Sequence, residues 1–105
     1  MKSLDDKISI LVRDFYSNLG IIQSIECIHS QINSEIYKIS TKNQQFLLHY
    51  SKYDSDKRIE KMCKILNQIS KNNQNVIKSI KNQFGNFSQN KFYVTKFENG
   101  KLFSG

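Results

Sequence analysis

Proline and tryptophan are absent from the chain, and glycine occurs only four times. No proline-rich or glycine-rich linker is present, and no repeat or low-complexity segment interrupts the sequence. The 105 residues suit one domain, and 38% hydrophobic residues suffice for one modest core. We therefore expect a single domain over residues 1–105.

Cysteine and long apolar runs are equally sparse. The two cysteines, Cys27 and Cys63, lie far apart, with no Cys-x-x-Cys pair and no paired histidine spacing. A disulfide framework and a zinc site therefore have no support. No segment approaches the ~20 apolar residues of a membrane-spanning helix, and the polar N-terminus does not resemble a signal peptide. These features predict a cytoplasmic protein with reduced thiols and no membrane partner.

Acidic residues are outnumbered, because 16 lysines and arginines face 9 aspartates and glutamates, giving a net charge of +7 and a pI near 9.5. Such charge is typical of proteins that bind nucleic acid, membrane surfaces or phosphates. The lysines are spread along the sequence, so a solvated lysine-rich surface is the simpler interpretation. The charge still favours a phosphate-bearing ligand.

The first part of the chain predicts a helix followed by a strand. Apolar residues recur every three or four positions over residues 4–19, and Gly20 is placed to end the helix. Residues 21–29 mix isoleucine with polar residues, and their β-branched content favours a strand.

A β-hairpin and a second helix come next. The β-rich runs 36–39 and 46–50 flank a polar turn at residues 41–44, which predicts two antiparallel strands. Asp54 or Ser55 can cap the helix that follows. Its apolar stripe is expected to pack on the sheet as core. The stripe consists of Ile59, Met62, Cys63, Ile65, Leu66 and Ile69.

Two further strand-like runs, residues 76–81 and 91–97, close the chain around a turn rich in residues that tolerate positive φ. The predicted order is helix, three strands, helix, two strands. We therefore predict an α+β domain with a five-stranded, mainly antiparallel sheet. The N-terminal helix precedes the sheet and second helix, which together occupy residues 21–103.

Three segments resemble the N-terminal lobe of aminoglycoside phosphotransferase and choline kinase relatives. Residues 32–41 (INSEIYKIST) and 45–49 (QFLLH) resemble the hairpin of that lobe, in which a turn with Gly and Asn precedes the first strand and Lys or Arg ends the second. The helix with Glu60 resembles the family's αC, and residues 92–100 (FYVTKFENG) resemble the last strand and hinge. The resemblance covers about residues 20–105 and implies a kinase-like N-lobe, a fragment of a longer protein.

The resemblance implies ATP-dependent phosphorylation of a small-molecule hydroxyl, with ATP and Mg²⁺ as cofactors. In such a lobe, backbone N–H groups of the turn cover the phosphates, a strand-end cation contacts them, and a helix carboxylate orients that cation. Hinge contacts would come from the backbone. Carried over to this chain, the nucleotide-binding residues are Ser30, Gln31, Ile32, Asn33 and Ser34 in the turn, His49 at the strand end, Glu60 in the helix, and Lys96, Phe97 and Glu98 in the hinge.

The sequence departs from this family at important positions. His49 stands where Lys or Arg is expected, and a neutral imidazole does not replace a permanent positive charge on phosphate. The turn lacks glycine, which hinders close approach of its backbone to phosphates. Neither His29 nor His49 begins a His-x-Asp motif, so the catalytic-loop aspartate and the later metal-binding aspartate have no counterpart. We expect at most weak nucleotide binding, no turnover by this chain alone, and no catalytic or metal-binding residue.

The candidate residues also have plain structural interpretations. His49 can be an ordinary strand histidine. Glu60 can be a solvated helix residue paired with Lys64 at i+4. Asn33 and Gly100 suit turns in any fold.

Two other function classes stay open. Helix, three strands, helix is also the order of a double-stranded RNA-binding domain, but Lys57 and Arg58 at the second helix have acidic neighbours, and two strands would lack a role. We therefore do not expect a nucleic-acid partner. The third class is an interaction or dimerisation module. A kinase N-lobe normally covers its lower sheet face with a C-lobe, so that face should take the missing C-lobe or a second copy of the chain.

Overall fold

Two α-helices and six β-strands follow one another in the computed structural model, which describes residues 3–42, 44–72 and 78–97. A short 3-10 turn follows the first helix. The elements are α1 (Ser3–Phe15), the 3-10 turn (Ser17–Leu19), β1 (Ile22–Ser30), β2 (Ser34–Thr41), β3 (Gln45–Ser51), α2 (Asp56–Asn72), β4 (Ser79–Ile80), β5 (Ser88–Gln89) and β6 (Phe92–Phe97). The α+β class and the predicted order of the main elements are confirmed.

The N-terminal helix is shorter than the predicted residues 4–19. The chain leaves the α-helical path at Tyr16, which has φ −125° and ψ 34°. Three hydrogen bonds hold the following 3-10 turn on a distant segment. The backbone N of Ser17 donates to Gln83 Oε1 at 3.0 Å, the Ser17 hydroxyl donates to the same oxygen, and Asn18 Nδ2 donates to the Lys81 carbonyl at 2.9 Å. Gly20 then turns the chain into β1 at φ +105°, which L-residues rarely adopt.

All strand pairs of the sheet are antiparallel, in the order β1-β2-β3-β6-β4, with β5 also paired to β6. The antiparallel sheet is confirmed, but the described residues form six strands rather than the predicted five. The additional strand arises because Asn90 and Lys91 both adopt positive φ, 53° and 69°. Such a two-residue turn reverses the chain into a tight hairpin, so Ser88 and Gln89 pair with β6.

The edge strand β1 pairs with β2 in an interrupted register. Shifts occur between Ile22 and Ser24 and again between Cys27 and His29. Such bulges bend and twist a strand locally. β1 is therefore a long but irregular edge.

The two faces of the sheet pack against different helices. Side chains alternate along a strand, so Phe46 and Leu48 of β3 face α1, whereas Leu47 and His49 face the opposite side. The core on the α1 side contains Ile8, Leu11, Val12 and Tyr16 from the N-terminal segment and Tyr37, Ile39, Phe46, Leu48 and Val94 from the sheet. The core on the α2 side contains Ile59, Cys63 and Phe87, with Tyr93 packed against them.

Only part of the apolar stripe of α2 is core. Ser55 caps the helix, because the backbone N of Arg58 donates to Ser55 Oγ at 3.2 Å. Of the stripe, Ile59 and Cys63 are buried and Leu66 is half-buried. The prediction was wrong for three residues, because the sheet covers one side of the helix and the stripe is wider than that side. Met62, Ile65 and Ile69 are 38%, 49% and 46% exposed.

The outer edge of β4 is covered by a side-chain amide instead of a strand. Asn67 Nδ2 donates to the Ser79 carbonyl at 3.0 Å, and the Ser79 backbone N donates to Asn67 Oδ1 at 2.8 Å. The strand is shorter than predicted at its C-terminal end, where Lys81 lies outside it, and residues 76 and 77 lie outside the described residues. Among the described helices, none combines the length and apolar character needed to cross a bilayer.

Candidate functional site

The predicted phosphate turn is the β1–β2 hairpin turn at one end of the sheet. The backbone N of Gln31 donates to the Ser34 carbonyl at 2.8 Å, which closes the turn. The Asn33 carbonyl accepts a hydrogen bond from the backbone N of Lys52 at 3.0 Å, and Ile32 is exposed. The turn is therefore fixed to the segment that follows β3.

His49 is packed inside the domain and is not available as a phosphate ligand in this conformation. Its side chain is 5% exposed, and its ring stacks on Tyr93 with centres 4.5 Å apart and planes 8° apart. Nε2 shares a hydrogen bond of 2.9 Å with Thr95 Oγ1. Burial lowers the pKa of His49 to about 4, so the imidazole is neutral at pH 7. The structure thus agrees with the plain interpretation of a strand histidine.

Glu60 contacts the β5–β6 hairpin rather than a strand-end cation. Its Oε2 accepts a hydrogen bond from the backbone N of Ser88 at 2.7 Å. One turn earlier in α2, Asp56 Oδ1 accepts from the backbone N of Lys91 at 2.7 Å and from the Ser88 hydroxyl. The two carboxylates therefore hold the hairpin against the helix. Sequence reasoning missed Asp56, whose only signal was its spacing of four residues from Glu60.

The predicted pairing of Glu60 with Lys64 is not among the ion pairs of the described residues. Those pairs are Arg13–Asp14 at 3.3 Å and Arg58–Asp54 at 3.9 Å. Both lie on exposed or half-exposed side chains, where ion pairs contribute little to stability.

The predicted hinge lies at the opposite end of the sheet from the turn. Phe97 pairs with Gln45 at the start of β3, whereas the turn adjoins Ser51 at its end. At about 3.4 Å per residue, the six residue steps between them span roughly 20 Å. The backbone N of Lys96 donates to the Lys78 carbonyl at 3.1 Å, so this hinge amide is used within the sheet. Glu98 lies outside the described residues.

Among the described residues, the core that α2 forms covers only part of the sheet face between the turn and the hinge. On the face opposite α1, α2 contacts β4 and β5 and packs on Tyr93 of β6, but β1 and β2 lie beyond it. We call this area the open sheet surface; it carries Glu26, His29, Ile36, Lys38 and Phe97. Lys38 Nζ lies 5.4 Å from the centre of the Phe97 ring. The fold thus brings Lys38 and Phe97 onto one face of the sheet, with the turn at one end of it. His49 lies on the same face but is buried against Tyr93, and Glu60 contacts the β5–β6 hairpin.

The described residues do not supply a Mg²⁺ site. No group of three or more His, Cys, Asp or Glu side chains among them could hold a metal ion. The two neighbouring acids of α2, Asp56 and Glu60, accept hydrogen bonds from backbone N–H groups. Mg²⁺ prefers carboxylate oxygens and water in octahedral geometry, so these occupied carboxylates do not fit it.

Comparisons of this chain with protein-family models, with curated proteins and with solved structures gave no match. The resemblance to aminoglycoside phosphotransferases stays a prediction from residues 32–49 and 92–100. The α+β fold and its antiparallel sheet rest on the structure itself.

Proposed function

We propose that the domain is the nucleotide-binding lobe of a phosphotransferase similar to aminoglycoside phosphotransferases. Such an enzyme would use ATP to phosphorylate a hydroxyl group of a small molecule. The main support is the connectivity: α2 lies between β3 and β4 in the chain and packs on the face opposite α1, as an αC-like helix would. Free thiols at Cys27 and Cys63 suit the cytoplasm, where we place the protein.

In this proposal, the nucleotide lies along the open sheet surface. The adenine stacks near Phe97, and the phosphates point towards the turn at residues 30–34. Lys38 supplies positive charge on that surface, because His49 is neutral and turned inward. One lysine and backbone N–H groups provide few phosphate contacts, so we expect binding in the millimolar range, roughly −4 kcal/mol.

This chain alone should not transfer phosphate. Phosphoryl transfer relies on positioned acidic residues and Mg²⁺. No His-x-Asp motif occurs in the 105 residues. A second lobe would have to supply these groups, and it would cover the open sheet surface.

A titration with ATP and Mg²⁺, followed by amide chemical shifts, tests the proposal. We expect shifts at Asn33, Lys38 and Phe97 that saturate at millimolar ATP. Lys38→Gln should weaken binding several-fold, because it removes the charge on the open sheet surface. Lys57→Gln, the same change at an exposed site on α2, should not. Unmoved resonances on this surface would remove the nucleotide claim. Shifts with RNA that vanish steeply with salt would favour the RNA-binding alternative.

An interaction module is the second candidate function, and the exposed side chains of Met62, Ile65 and Ile69 favour it. Three apolar residues on one helix face form a patch that a second copy of the chain or a C-lobe could cover. Sedimentation at micromolar concentration distinguishes the cases. If the natural sequence sediments as a monomer and Ile65→Ser sediments with the same mass, the patch does not mediate self-association.

A further inference from the structure

Three lysines line a groove along the outer edge of β4. The cavity has a volume of about 540 Å³. Lys78, Lys81 and Lys96 contribute to its walls together with the apolar side chains of Ile80 and Phe87. Among the described residues that line the groove, none is acidic.

The fold brings these lysines together from separate parts of the chain. Lys78 precedes β4 and Lys81 follows it, while Lys96 belongs to β6. Pairing of β4 with β6 joins them, and the Lys96 backbone N donates to the Lys78 carbonyl at 3.1 Å. In the sequence these lysines are scattered among many others. Their grouping depends on the strand order and is visible only in three dimensions.

A peptide strand is not the expected occupant of this groove. The backbone N–H and C=O of Ser79 are both bonded to the amide of Asn67, and the Lys81 carbonyl accepts from Asn18. Strand addition needs such edge groups to be open. An occupant must therefore bind through the side chains of the groove.

Those side chains combine positive charge with an apolar wall. Lysine binds phosphate as a point charge. Lys81 Nζ lies 5.4 Å from the centre of the Phe87 ring, so the charge is adjacent to that ring. Phe87 itself is 5% exposed, and the half-buried Ile80 is the more accessible apolar side chain of the groove. The volume falls within the ~300–1,000 Å³ usual for small-molecule sites. We propose that this groove binds a phosphate ester with a flat, apolar body, such as a nucleoside phosphate.

The groove adjoins the open sheet surface at the end of β6, where Lys96 lines the groove and Phe97 belongs to the surface, but it is distant from the turn and Lys38. β3 and β6 lie between β4 and the β1–β2 hairpin. The inference therefore does not depend on the proposed function, and the two sites have different reporters. Amides of Ile80, Lys81 and Phe87 report on the groove, whereas Asn33 and Lys38 report on the open sheet surface.

The test is an amide chemical-shift titration without Mg²⁺, using ADP, inorganic pyrophosphate and adenosine as separate probes. ADP should shift Ile80, Lys81 and Phe87 and saturate. Pyrophosphate lacks the apolar body and adenosine lacks the charge, so each should bind at least about tenfold more weakly. Groove shifts with unmoved Asn33 and Lys38 would support this inference while the proposed function fails.

A charge-matched pair of variants tests the lysines. The Lys78→Gln, Lys81→Gln double variant should weaken ADP binding by about tenfold or more. The Lys57→Gln, Lys64→Gln control removes the same charge from exposed sites on α2 and should change it less than twofold. If the amide spectrum of the double variant shows that it is unfolded, the single variant Lys81→Gln replaces it in the same titration. Equal weakening by both pairs, adenosine binding as tightly as ADP, or ADP shifts confined to the open sheet surface would overturn the inference.

Discussion

The two faces of the sheet are built from different chemistry. On the α1 side, apolar side chains pack against one another, including the fully buried Tyr37, Ile39, Leu48 and Val94. On the α2 side, polar groups meet in hydrogen-bonded pairs in which at least one partner is buried or half-buried. These pairs are His49 with Thr95, Asn67 with Ser79, and Asp56 and Glu60 with the β5–β6 hairpin.

The two faces therefore contribute differently to the fold: one mainly to stability, the other mainly to the positions of its elements. Apolar burial is non-directional and roughly proportional to area, so the α1 face supplies stability. Hydrogen bonds contribute less net free energy, but a broken one leaves a buried group without its partner. The α2 face therefore fixes the position of the helix and the hairpin. Variants on the two faces should differ in both size and kind of effect.

The largest effect is expected on the α1 face. Leu48→Ala should lower the free energy of unfolding by about 3 kcal/mol, because it leaves a cavity at the centre of this core. Urea unfolding followed by circular dichroism measures the change. Ile69→Ala, a similar truncation of a half-exposed side chain, serves as the control and should cost much less. Equal costs would contradict an apolar core centred on the α1 face.

An intermediate effect is expected on the α2 face as pH falls. The pKa of His49 is lowered to about 4 in the folded state against about 6.5 when unfolded, so the unfolded chain binds the proton more tightly. Its stability contribution is present above pH 6.5 and is lost between pH 6.5 and 4. Between pH 7 and 5 the loss is about 2 kcal/mol. Urea unfolding at several pH values should show a flatter profile for His49→Gln than for the natural sequence, and parallel profiles would contradict the prediction.

The smallest effect is expected at the β5–β6 hairpin. Glu60→Gln keeps an oxygen that can accept from Ser88 but removes its charge, so the hairpin should lose about 1 kcal/mol of stabilisation. Hydrogen exchange at the Ser88 amide should accelerate while exchange in β3 stays unchanged. Glu26→Gln makes the same change at an exposed position and is the control. Uniform acceleration across the sheet would mean that the bond supports the whole fold.

Local patterns predicted the elements of the fold well. Three- and four-residue spacing indicated both helices, and the polar turn between residues 41 and 44 indicated the β2–β3 hairpin. Patterns failed where a conformation depends on partners far along the chain. The early end of α1 depends on Gln83, and β5 depends on a two-residue turn of Asn90 and Lys91, which lacks the usual Asn-Gly signal.

The candidate site was harder to predict for the same reason. Alternation along β3 indicates only which residues share a face with His49, not that Tyr93 and Thr95 enclose it. The sequence suggested that Glu60 is a solvated or cation-binding acid, whereas in the structure its carboxylate bonds the β5–β6 hairpin. A residue's role depends on the burial and the partners that strand order imposes. The spacing of residues in the sequence does not show which distant residues become these partners.

The edges of the sheet are protected without proline, which is absent from this chain. Exposed strand edges invite self-association into extended sheets, and proline is one common means of preventing it. Here two of the outer strands are protected in other ways: β1 by its two register shifts, and β4 by the amide of Asn67. Substitution of Asn67 would therefore leave the backbone N–H and C=O of Ser79 without this amide partner and open the outer edge of β4 to pairing with another chain.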